Sequence, residues 1–128
     1  MFKVTITHEF TDEMIDDLIT TMVECNDMTA SWCLEYDAKG QQVAIAVVRG
    51  YDVIFTVDNP EYDANMPRTT ENCPTLRKDF DLAVLKKALE LCSLLYPQVF
   101  RNIVEGNYDA NDADVVLQLA IFKEVVYS

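Results

Sequence analysis

The chain has 128 residues, half of them hydrophobic and a quarter charged, with 22 acidic against 10 basic side chains and a formal net charge of −12 at pH 7. That length fits one domain with a sizeable core, and its stock of Leu, Ile, Val and aromatic residues rules out wholesale disorder. The charge argues against direct nucleic-acid binding, which needs clustered Lys and Arg, and against an anionic membrane surface; partners with a basic surface are favoured instead.

Only Arg77-Lys78 and Lys86-Lys87 are adjacent basic pairs. No apolar run approaches the roughly 18–20 residues of a membrane span. The N-terminus soon meets Glu9, Asp12 and Glu13, so it does not read as a signal peptide and a cytosolic protein is expected. Cys25, Cys33, Cys73 and Cys92 show no CxxC spacing and His8 is the single histidine, a poor match to structural zinc. Free thiols and no cofactor are the expectation.

In chain order, residues 2–7 alternate Phe2, Val4 and Ile6 with Lys3, Thr5 and Thr7, the period of a half-buried strand. Thr11 follows as a helix N-cap with Asp12 and Glu13 in the first turn, where the helix dipole favours anions. Phe10 and Ile15 have the spacing of a hydrophobic staple. Met14, Ile15, Leu18, Ile19, Met22 and Val23 form one apolar stripe, predicting an amphipathic helix over 12–25. Residues 31–36 read as a short strand ended by Asp37-Ala38-Lys39-Gly40. The run Val43 to Val48 is ambiguous: its β-branched content suits a buried strand, its Gln41-Gln42 start and Gly50 finish a short helix.

Val53 to Val57 predicts a strand. Residues 58–75 hold Pro60, Pro67 and Pro74 among Asp, Asn and Thr, and read as one long mobile loop. From Asp79 the pattern is helical, with Leu82, Leu85, Leu89 and Cys92 on one stripe, and Pro97 ends that helix or starts the next turn. Val99, Phe100, Ile103 and Val104 predict a brief helix stopped by Gly106-Asn107. A last helix starts near Asp109 or Asp112 and carries Val115, Val116, Leu119, Ala120, Phe122 and Val126. The expected class is α+β: a few-stranded antiparallel or mixed sheet against about four to five helices.

Asp12, Glu13, Asp16, Asp17 and Glu24 fall on one face of the first helix, opposite the apolar stripe. Like charges at i,i+4 cost a few tenths of a kcal/mol per pair, and this helix carries no Lys or Arg in relief. The face is either solvated surface or a docking ridge for a basic partner. Asn107, Asp109, Asn111, Asp112 and Asp114 form a second acidic cluster. Its register approaches a calcium loop but puts Asp112 where glycine is needed and Gln118 where the bidentate glutamate belongs, so helix capping explains it better. His8 lacks a visible nucleophile or orienting partner, Cys25 and Cys92 sit on apolar stripes, and Cys73 lies in the proline-rich loop without a neighbouring histidine. Trp32 reads as core, or else as an interface anchor.

Thr11-Asp12-Glu13-Met14-Ile15-Asp16-Asp17-Leu18, followed by Trp32-Cys33, forms one segment of interest. Gly106-Asn107-Tyr108-Asp109-Ala110-Asn111-Asp112-Ala113-Asp114, running on through Gln118 to Phe122 and Val125 to Tyr127, forms another. Together they resemble a family of short acidic proteins found in bacteriophages and prophages. The resemblance implies that 41–49 is a helix ending at Gly50, and it brings no assigned activity or catalytic residues.

The expectation is therefore a non-enzymatic phage or prophage accessory protein in the cytoplasm of the bacterial host. It would bind and inhibit a nucleic-acid-binding host protein, a CRISPR or restriction complex among the candidates, through an acidic face made by Asp12, Glu13, Asp16, Asp17, Glu24, Asp109, Asp112 and Asp114. An oligomer that sequesters a small ligand or nucleotide is the alternative, and an enzyme using His8 or Cys73 a third.

Overall fold

The computed structural model describes residues 1–2, 7–24 and 26–127. The strand expected over 2–7 falls mainly on residues outside this set, as does Cys25. The first helix, α1 (Asp12–Val23), begins where the Thr11 hydroxyl accepts the Met14 N–H at 3.2 Å, and buries Leu18, Ile19 and Met22. A single turn, α2 (Asp27–Ala30), follows. Asn26 builds it: its Oδ1 accepts the N–H groups of Met28 and Thr29, while its Nδ2 donates to the carbonyls of Thr21 and Ala110. A four-residue helix is too short to show a periodicity, so no pattern of residues marks it in advance.

Strand β1 (Cys33–Asp37) ends in a turn where the Asp37 carboxylate accepts the Lys39 N–H at 2.9 Å and Lys39 and Gly40 take positive φ. The ambiguous run is a helix, α3 (Val43–Val48), as the family resemblance implied, though shorter than 41–49. Packing against α1 overrides the β-branched propensity of its valines. Gly50, at φ +86°, makes the turn into β2 (Val53–Asp58).

The loop that follows is 59–74, shorter at each end than the expected 58–75, and it has its own internal order. Asn59 closes the neck, its Nδ2 donating to the Cys73 carbonyl at 2.8 Å and its backbone N–H to Pro74. The Asn72 side chain fills the interior, accepting from the Asp63 N–H and donating to the carbonyls of Asp63, Pro67 and Met66. Next comes β3 (Thr75–Phe80), a correction to the sequence reading, which passed from loop to helix here. Lys78 interrupts the apolar alternation of Leu76 and Phe80, so the strand is held by its pairing along all six residues of β2 and by Phe80 stacking on Phe55 at 5.1 Å.

Asp81 caps α4 (Leu82–Leu95), its carboxylate accepting the Val84 N–H. Pro97 opens α5 (Pro97–Glu105), which ends at Gly106 with φ +74°. The last helix, α6 (Ala110–Phe122), starts in a capping box between Asp109 and Asp112. It stops before Val126, which lies in the C-terminal tail and not on the helix as the apolar pattern suggested.

The result is α+β: a three-stranded antiparallel sheet in the order β1-β2-β3 and six helices among the described residues. Val53, Phe55 and Val57 of β2 face the core, while Ile54, Thr56 and Asp58 face the other way. α6 is the hub, packing against α1, α2, α4, α5 and β3. That central place decides the fate of its acidic residues.

Candidate functional site

On α1 the side chains of Asp12, Glu13 and Asp17 are exposed, as is Glu24 just past its end. Asp16 is half-buried, and its Oδ1 accepts the Thr20 hydroxyl at 3.2 Å. The apolar face opposite is buried against α3, α6 and α2, so these carboxylates share the one free side of the helix. A depression of about 420 Å³ adjoins them, with Asp17, Thr21, Tyr108 and Glu105 on its walls. Glu105 extends the acidic surface from the end of α5. The packing of α5 on α4 and α6 brings it to the same depression as Asp17, so no local sequence signal could have found it.

The second acidic cluster divides. Asp109 is exposed at the N-cap of α6, its Oδ1 accepting the Asp112 N–H at 2.8 Å. Asp112 is only 9% exposed; its Oδ2 accepts from the Asn102 amide and from the Asp109 N–H. Asp114 is 5% exposed and lies fully inside. Its Oδ1 accepts the Thr29 hydroxyl at 2.8 Å and the Trp32 indole N–H at 2.9 Å, and its Oδ2 accepts the Gln118 amide at 2.7 Å. The structure thus corrects the placement of Asp112 and Asp114 on a partner-binding face: both point into the protein. Their negative charge sits in the first turns of a helix, where the dipole supports it, and is met by neutral donors.

Gln118, with no exposed surface, continues this network. Its Nε2 also donates to the Tyr127 carbonyl, and its Oε1 accepts the N–H groups of Val126 and Tyr127, each at 2.8 Å. One amide therefore ties the C-terminal tail to α6 as a neighbouring strand would. Tyr127 then stacks on Trp32, rings nearly parallel with centroids 6.1 Å apart, and Phe122 packs on the same indole at 5.3 Å. Trp32 is accordingly core. Every buried side-chain nitrogen and oxygen among the described residues has a partner.

A third acidic surface comes from strand register. Glu35 and Asp37 of β1 stand opposite Thr56 and Ile54, and Asp79 of β3 opposite Ile54, so they share the outer face of the sheet with Asp58. At its rim the Asp52 carboxyl is held above the usual carboxylate range, first by partial desolvation, then by the Asp79 charge to which it is hydrogen-bonded and by Asp81, with Lys39 opposing.

The residues weighed for catalysis are scattered. His8 is exposed and meets Phe100 edge-on at 5.3 Å. It borders a cleft of about 770 Å³ lined mainly by apolar side chains, including Phe10, Ile15, Leu85, Leu89 and Phe100. The Ser93 hydroxyl in that cleft donates to the Glu90 carbonyl at 2.6 Å. Burial pushes the Cys92 thiol up to about 11 and the Cys33 thiol likewise to about 11, with Asp112 and Asp114 respectively adding to the effect. Cys73 is shifted the other way, lowered by a hydrogen bond from the Thr75 backbone and by Arg68. Among the described residues no helix is long and apolar enough to cross a membrane. No family model, curated protein or solved structure matches the chain.

Proposed function

We propose that this chain is a non-enzymatic accessory protein of a bacteriophage or prophage, acting in the cytoplasm of the bacterial host. Its α1 face occupies the basic cleft of a nucleic-acid-binding host protein, with defence nucleases of the CRISPR or restriction type as the partner class. The observation that carries this reading is the uniform sign of the side of α1 left free among the described residues. At 1.5 Å per residue, Asp12, Glu13, Asp16 and Asp17 fall within about 8 Å of helix, and Glu24 follows just past its end. A single nucleic-acid strand carries one phosphate per roughly 3.4 Å of rise. A cleft evolved for that charge density meets a comparable one over the first turns of α1, and Glu105, which shares a depression with Asp17, widens it.

Reversing Asp12, Asp16 and Asp17 to Lys tests the reading directly. The triple variant is expected to lose capture of a basic nuclease in a pull-down from host lysate and to lose inhibition of its cleavage, while circular dichroism stays unchanged. Wild-type capture should fall as salt rises, because exposed charges are screened within about 10 Å at 0.1 M. Capture and inhibition that survive the reversal would refute the ridge.

The 770 Å³ cleft favours a second reading, sequestration of a small ligand, since drug-sized ligands occupy apolar clefts of this size. A ligand retained through purification and insensitive to salt would support that reading over the first.

A further inference from the structure

Of the two edge strands of the sheet among the described residues, β1 and β3, β1 carries a surface separate from α1. Among the described residues β1 pairs with β2 alone, and beyond the half-buried Cys33 its four remaining residues are exposed. An edge strand presents unpaired N–H and C=O groups to any extended chain that approaches it. The register fixes what such a chain meets on each side. On the outer face it meets Glu35 and Asp37, and beyond them Asp58 and Asp79, with Arg77 the only cation of the three strands on that side. The apolar surface is supplied by Tyr36, which leans on the Phe55 ring at 5.9 Å yet stays 46% exposed, and by Leu34 at the β-bulge, 54% exposed. A groove of about 730 Å³ crosses the outer face from Glu35 and Asp37 through Thr56 to Thr75 and Arg77.

Two occupants differ in charge. A second copy pairing antiparallel through β1 would set Glu35 opposite its own equivalent, or opposite Asp37, and like charges directly across a strand pair repel. Each copy also carries −12, which opposes the approach. A strand with Lys or Arg at every second position meets the reverse condition. Its cations lie over Glu35 and Asp37 while its alternate apolar side chains cover Leu34 and Tyr36. The carboxylates that bar self-association thus select a basic strand. We propose that β1 is a docking edge for an extended basic segment of a partner protein, which adds to the sheet beside β1 with its lysines or arginines over Glu35 and Asp37. Either this edge or α1 can function without the other.

A fluorescein-labelled synthetic peptide alternating lysine and valine serves as the probe, with binding followed by anisotropy at about 0.15 M salt, where charges beyond roughly 8 Å are screened. Saturable binding is expected, with amide NMR signals of residues 33–37 shifting. Glu35→Lys combined with Asp37→Lys weakens it at least about tenfold, whereas reversal of Asp12, Asp16 and Asp17 changes it less than about twofold. The same peptide N-methylated at alternate residues keeps its charge, loses backbone donors, and binds as weakly as the unmethylated peptide binds the β1 double variant. Glu35→Gln with Asp37→Gln provides the charge-neutral comparison if the lysine variant fails to fold. Equal affinity for the methylated peptide, loss of binding on the α1 reversal, or no saturable binding by the unmethylated peptide would each overturn the proposal.

Discussion

α1 and the start of α6 are similar in composition and opposite in what they do with it. Both open on closely spaced carboxylates, Asp12, Glu13, Asp16 and Asp17 on the one, Asp109, Asp112 and Asp114 on the other. α1 lies at the periphery with one side buried, so its acids gather on the free side. α6 is enclosed by four other helices and a strand, and beyond its cap there is little free side to gather on. Its acids therefore turn inward and become acceptors for Asn102, Thr29, Trp32 and Gln118. Local composition says that a carboxylate is present, while the number of packed sides of its helix says whether that carboxylate meets a partner or holds the fold.

If that distinction is right, substitution should separate the two helices sharply in stability. Asp114→Ala is expected to have the largest effect, about 3 kcal/mol or more, because it strands the Trp32 indole N–H, the Thr29 hydroxyl and the Gln118 amide in the interior. Urea unfolding should show a lower midpoint with the slope unchanged. Asp114→Asn, which keeps acceptor capacity, should lose less. A loss under about 1 kcal/mol for the alanine variant would place this network on the same footing as surface acids.

Asp112→Ala comes next. It removes the reciprocal half of the capping box and the acceptor for Asn102, and a lost helix cap typically costs about 1 kcal/mol. The α1 reversal of Asp12, Asp16 and Asp17 to Lys should change stability by less than about 1 kcal/mol, since Asp12 and Asp17 are exposed and the half-buried Asp16 gives up one hydrogen bond, from Thr20. The Asp12–Asp16 repulsion is only exchanged for a lysine pair, while the dipole term lost in the first turn is partly offset because Glu13 at i,i+4 then faces a lysine in place of Asp17. Thermal melts of the single and triple variants side by side should therefore rank Asp114, then Asp112, then α1. A triple reversal that melts as early as Asp114→Ala would mean that α1 carboxylates are structural after all.

How much of this was legible follows the same division between local and distant causes. α1 could be read because its cap, first-turn acids, staple and stripe all lie within fourteen consecutive residues, Phe10 to Val23. β3 could not, because Lys78 breaks its alternation and its reason to exist is a partner strand across a long loop. The interior position of Asp114 left a faint trace: Gln118 sits one helical turn away amid Val116, Leu117 and Leu119, and a buried Trp32 needs an acceptor for its indole N–H. The acidic sheet face left none, since register assembles it from segments more than forty residues apart, Glu35 and Asp37 on one strand and Asp79 on another.

That sheet face also yields the smallest effect and the one with a pH signature. Asp52 is raised above its ordinary value of 3.8 by partial desolvation and by its hydrogen-bonded neighbour Asp79, with Asp81 adding to it. The folded protein therefore holds this proton more tightly than the unfolded chain does. Its contribution to stability is fully present below pH 3.8, where both folded and unfolded chains hold the proton, and is lost as pH rises through the folded value. Asp52→Asn keeps a donor for Asp79 and never acquires the charge. The variant should melt later than wild type near pH 7, by an amount corresponding to less than about 1 kcal/mol because Asp52 is exposed and solvent screens the repulsion. The difference should shrink as pH falls and vanish below pH 3.8. A variant less stable than wild type at pH 7 would mean that Lys39, and not the Asp79 and Asp81 charges, governs this corner of the sheet.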